Sequence, residues 1–127
     1  MQERQLYEYA VIRVMPRVER EEFLNVGVVL YCKSKKFLQA IYFLDIERLQ
    51  AFCSHCNAME VETYLNAFKN ICSGDSTAGP IGLLPAAARF RWLTATRSTV
   101  VQTSKVHPGL CYDPAEMLQK LFNDLVA

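Results

Sequence analysis

The sequence predicts one α+β domain: an antiparallel sheet, made of a three-strand N-terminal meander plus one late strand, covered by about four helices. Three observations predict it. The first third of the chain holds apolar, β-branched and aromatic runs joined by short polar connections. After Asp45 the apolar spacing changes from alternation to a helical period. The 127 residues contain no repeat, low-complexity tract or linker, and that length suits a single core spanning residues 1–127.

Leu6 to Met15 is rich in Tyr, Val and Ile and stops at Pro16, which has no N–H to give to a ladder. A charged connection, R-V-E-R-E-E, leads into F-L-N-V-G-V-V-L-Y-C, and K-S-K-K turns that strand into F-L-Q-A-I-Y-F-L. Two connections this short favour antiparallel neighbours. Strict alternation sets Leu24, Val26, Val28 and Leu30 on one face and Asn25, Gly27, Val29 and Tyr31 on the other. Both faces are largely apolar, so helices are expected over one, with the other covered too or used for assembly. Gly27 inside a strand marks a bulge or a close backbone approach, and Asn25 is suited to satisfying such irregular backbone.

Asp45 is the expected N-cap of a first helix with Ile46, Leu49, Phe52, Cys53 and Cys56 on one stripe. A second helix places Val61, Tyr64, Leu65, Phe68, Ile71 and Cys72 at i, i+3, i+4, i+7 spacing. S-G-D-S-T-A-G-P-I-G is a loop by composition, and Pro85 suits the first turn of a short third helix running to about Leu93. Ser98 to Ser104 reads as the late strand and H-P-G as a turn. The last helix has the best start signal: Asp113 as N-cap, Pro114 at the first position and Glu116 at the third. Met117, Leu118, Leu121, Phe122 and Leu125 form its apolar stripe.

The formal charge of +1 argues against binding nucleic acid by bulk electrostatics, so any anion site is local. Apolar runs break before the ~18 residues a membrane helix needs. The start M-Q-E-R-Q lacks the basic-then-apolar layout of a signal peptide. Five cysteines in apolar contexts suit reduced, buried thiols, so a cytoplasmic protein is expected.

One local asymmetry stands out: the 37 residues from Ser76 to Tyr112 contain no Asp or Glu, while all 13 acids lie outside. The cations fall in its second part, with Arg89, Arg91, Trp92, Arg97, Ser98, Thr99, Gln102 and His107 as the candidate anion- or partner-binding set. Arginine offers a planar fork for phosphate or carboxylate, Ser and Thr add short donors, and Trp offers a stacking face. The competing reading pairs these arginines with Glu19, Glu21 and Glu22 and buries Trp92. Arg17, Glu21, Glu22 and Asn25, between the first two strands, form a secondary candidate set. Adjacent Glu side chains diverge, which makes them a poor chelating pair alone. C-S-H-C at residues 53 to 56 closes a helix rather than opening one and lacks a second knuckle, so neither metal nor redox cofactor is expected.

Two segments together resemble an uncharacterised bacterial family, domain of unknown function 3037: Y-E-Y-A-V-I-R-V-M-P-R-V-E-R-E-E-F-L-N-V-G-V-V-L-Y-C (7–32) and R-F-R-W-L-T-A-T-R-S-T-V-V-Q-T-S-K-V-H-P-G-L (89–110). The likeness extends over nearly the whole chain. It departs from the family pattern at Ala88, where Glu is usual, and at Thr96, where Pro is usual. The family carries no established activity; its genes lying beside those of HipA-like kinases implies a partner or regulator role.

The expected function is therefore a non-enzymatic accessory or interaction module. It acts with a protein partner, self-associates, and uses Arg89 to His107 to contact phosphate on a nucleotide, a nucleic acid or a phosphorylated protein. The alternatives are a small hydrolase or nuclease-like enzyme using Glu21 or Glu22, Arg97 and His107, and a structural subunit in which every charge is paired.

Overall fold

A computed structural model describes residues 3–16, 22–75, 78–95 and 99–127. Arg17, Glu19, Glu21, Arg97 and Ser98 lie outside the described residues. The elements run β1 (Gln5–Val14), β2 (Leu24–Cys32), β3 (Phe37–Tyr42), α1 (Ile46–Phe52), α2 (Ala58–Ser73), a 3₁₀ turn (Pro80–Leu83), α3 (Ala86–Thr94), β4 (Val101–Thr103), β5 (His107–Cys111) and α4 (Pro114–Leu125). The fold is α+β as expected, with one late strand more than the sequence suggests.

The sheet is antiparallel, in the order β3-β2-β1-β4, and β5 shares β1's outer edge with β4. β4 covers Ile12 to Val14 and β5 covers Gln5 to Tyr9. Between them Ser104 holds the edge together. Its N–H donates to Val11 O at 2.9 Å and its Oγ accepts from Val11 N–H at 2.9 Å. Ser104 is thereby buried with its backbone N–H satisfied.

The H-P-G expected as a turn is instead the start of β5. Because Ser104 bonds to Val11, the odd-numbered residues of β1 turn toward this edge. Pro108 stands opposite Glu8, so its missing N–H falls on the outer side, where a proline is tolerated.

A second correction concerns the alternation of β2. Ile12 pairs with Gly27 but Arg13 pairs with Asn25, so Val26 is an extra residue, a β-bulge. The bulge turns Val26 to the face of Val29 and Tyr31 rather than that of Val28 and Leu30. Gly27 serves the close approach the sequence suggested: a Cβ there would sit 2.5 Å from Ile41 O.

Both faces are covered. Leu49 of α1, Val61, Leu65 and Phe68 of α2, and Phe90 and Leu93 of α3 pack against Ala10, Ile12, Val14 and Val29 on one side. On the other, Leu118 of α4 joins Tyr7, Val28, Leu30, Cys32 and Cys111, with Met117, Leu121 and Phe122 at the margin. Each fully buried large side chain contributes roughly 1.5–3 kcal/mol, so the apolar stripes hold the helices in place. Some stripe positions depart from expectation: Ile46 and Tyr64 are exposed, and Cys53 and Cys56 lie beyond the end of α1, although Cys56 still packs against the core. The caps match expectation at Asp45 and Asp113, whose side chains accept from first-turn N–H groups of α1 and α4, and Asn57 does the same for α2.

Candidate anion-binding site

The described residues of the acid-free segment do not form one surface. Arg89, Arg91 and Trp92 lie on α3, whose Phe90 and Leu93 face the α1–α3 core. Gln102 pairs with Arg13, which points away from that core, and His107 pairs with Tyr9, with ring centroids 5.4 Å apart. Gln102 and His107 therefore lie on the opposite side of the sheet from α3. Thr99 and Gln102 are occupied locally: Thr99 Oγ1 donates to Val101 O and Gln102 Nε2 to Thr99 O, each at 2.7 Å. Arg91 is exposed, and Trp92 keeps 39% of its surface, so it is not a core residue.

Arg89 follows neither simple reading. Its Nε donates to Leu84 O at 2.9 Å, and its Nη1 donates to Ile71 O at 2.9 Å and Cys72 O at 2.7 Å. Ile71 and Cys72 present carbonyls at the end of α2, where orphan acceptors and the negative end of the helix dipole favour a cation. Gly74, at φ 69°, closes the same helix end by donating to Asn70 O and Ile71 O.

Beside this helix end is a cavity of about 450 Å³, within the range of small-ligand sites. Lys36 at the head of β3, Lys69 on α2 and Arg89 on α3 line it, and among the described residues no carboxylate does. Among the described residues the one other ionisable lining group is Cys72, whose thiol is pushed up to about 12 by burial despite the nearby Arg89, so it stays neutral. The cavity thus gathers three formal positive charges against about half a negative charge from the end of α2, part of which Arg89 already meets. Lys36 is held in the left-handed region at φ 52°, a conformation that Gly or Asn adopts more cheaply. A turn bond from Lys36 N–H to Lys33 O fixes it there. The sequence does not single out Lys36 and Lys69, which sit 33 positions apart in unremarkable polar stretches.

The secondary set is divided. Arg17 and Glu21 are outside the described residues, while Glu22 and Asn25 are within them. Asn25 Nδ2 donates to Leu125 O at 3.4 Å, tying β2 to the end of α4. Its Oδ1 and the Nε of its cross-strand partner Arg13 are buried without a hydrogen-bond partner among the described residues, and Arg13 stacks over Phe23 at 3.9 Å. Around C-S-H-C, burial and a hydrogen bond with Cys53 push the Cys56 thiol up to about 11, which opposes the thiolate that metal or redox chemistry needs. Among the described residues no three His, Cys, Asp or Glu side chains gather as metal ligands.

These features define a three-layer α+β module with a small basic cavity at one end of its sheet. The chain belongs to the family described as protein of unknown function DUF3037, which matches residues 9–126. No curated protein and no solved structure matches it. Among the described residues no helix is long and apolar enough to cross a membrane.

Proposed function

We propose that this protein is an accessory module that binds a phosphate-bearing ligand in the cavity formed by Lys36, Lys69 and Arg89. One observation carries the reading: three cations from three separate elements line a cavity of about 450 Å³ with no carboxylate among the described residues around it. Like charges that share a small cavity repel one another, and a bound anion relieves that repulsion. Phosphate suits the site because its several oxygens can accept from two ammonium groups and a guanidinium at once. Ser73, also in the lining, donates its hydroxyl to Lys69 O at 3.2 Å, so the three cations carry the binding.

Calorimetric titration with inorganic diphosphate tests the reading. Binding is expected to weaken at least tenfold in a Lys36→Ala/Lys69→Ala variant and to fall as salt rises. Equal affinity in the variant and the parent overturns it.

A further inference from the structure

The basic cavity lies along a free strand edge. Phe37, Leu38, Gln39 and Ala40 all line it, four consecutive residues of β3. Successive side chains of a strand point to opposite faces, so a cavity touched by four in a row runs along the backbone edge itself. Among the described residues β3 is the last strand on its side of the sheet.

The hydrogen-bonding parity of that edge follows from two observations. Phe43 N–H donates to Val26 O, and Ile41 O lies against Gly27. Odd-numbered residues of β3 therefore turn their backbone groups toward β2, and Leu38 and Ala40 turn theirs away. Leu38 and Ala40 are buried residues, at 7% and 6% exposure, yet no described residue bonds to their N–H or C=O groups. These four groups line the open cavity, where water meets them in the free chain and an added strand can take its place.

We propose that β3 and the basic cavity together take a short extended segment of a phosphorylated protein. The segment pairs with Leu38 and Ala40 as an added strand, and its phosphorylated side chain reaches Lys36, Lys69 and Arg89. This rests on the phosphate reading above and adds the class of ligand. A space of about 450 Å³ fits roughly three residues, the length that pairs with both outward-facing positions. Main-chain bonds supply affinity without sequence demand, and the cations supply the requirement for phosphate.

The test uses a library of nine-residue peptides with a central phosphoserine, the same peptides unphosphorylated, and bound members N-methylated on alternate backbone nitrogens. Phosphopeptide binding is expected to drop at least tenfold without the phosphate. It should drop as much with N-methyl groups in one alternation and little in the other, with slowed hydrogen exchange at the Leu38 and Ala40 amides. If inorganic diphosphate binds but no library member does, or both methylated sets bind unchanged, the strand pairing is wrong and the phosphate site stands. If neither diphosphate nor phosphopeptide binds, both readings fall. Unphosphorylated peptides binding as well as phosphorylated ones also overturns the proposal.

Discussion

Arg89 is the residue on which architecture and proposed chemistry meet. Its bonds to the Ile71 and Cys72 carbonyls fasten α3 to the end of α2, its bond to Leu84 O holds the approach to α3, and the same guanidinium lines the cavity. Hydrogen bonds from a charged group contribute about 1.5–3 kcal/mol each and are not additive within one side chain, so Arg89→Met is expected to cost about 3 kcal/mol in denaturant unfolding. Arg89→Lys should recover less than half of that, because one ammonium cannot reproduce a planar fork directed at three carbonyls. Gly27 is the second sensitive position. A Cβ there meets Ile41 O at 2.5 Å and Tyr42 Cβ at 2.8 Å, so Gly27→Ala should destabilise by about 2–3 kcal/mol, read from the unfolding midpoint at unchanged slope. The close approach at Gly27 was legible in the sequence because a glycine amid β-branched residues gives up packing and strand propensity, a loss that a bulge or a nearby backbone offsets. The role of Arg89 was not: its partners are backbone carbonyls 5 to 18 positions away, and a carbonyl leaves no mark in a sequence.

At the scale of elements, what the sequence conveyed was what neighbouring residues decide among themselves. Asp113-Pro114 opens α4 as expected because capping is a matter of adjacent residues, with Asp113 Oδ1 accepting from Ala115 N–H at 3.0 Å. Asp113→Ala should cost about 1 kcal/mol, measurable as a lower melting temperature without change in the circular dichroism of the native state. The elements that departed from expectation are those set by tertiary pairing. Val26 changes face because β1 and β2 meet with a bulge, which no period-two pattern reveals. Pro108 enters a strand because β1 offers an edge on which its missing N–H faces outward. The cavity is hidden for the same reason, since Lys36, Lys69 and Arg89 come from β3's turn, α2 and α3 and meet only once the chain has folded.

For the whole molecule, the sheet is closed on both faces and its outermost strand β3 borders the basic cavity. Burial also sets a pH limit on the core. Cys72 is raised to about 12, so from about pH 8.5 upward the unfolded chain loses this proton before the folded one does. Its contribution is fully present below that pH and is lost as pH rises toward the folded value. The stability advantage of the parent over Cys72→Ala should therefore shrink between about pH 8 and about pH 10.5, as followed by urea unfolding at each pH. The most direct test of the central claim is a two-dimensional ¹⁵N–¹H NMR titration of the whole chain with inorganic diphosphate. Shifts confined to the amides of 36–40, 69–73 and 86–89, and absent in the Lys36→Ala/Lys69→Ala variant, are the result predicted. Shifts centred on His107 and Gln102, or none at millimolar diphosphate, would contradict it.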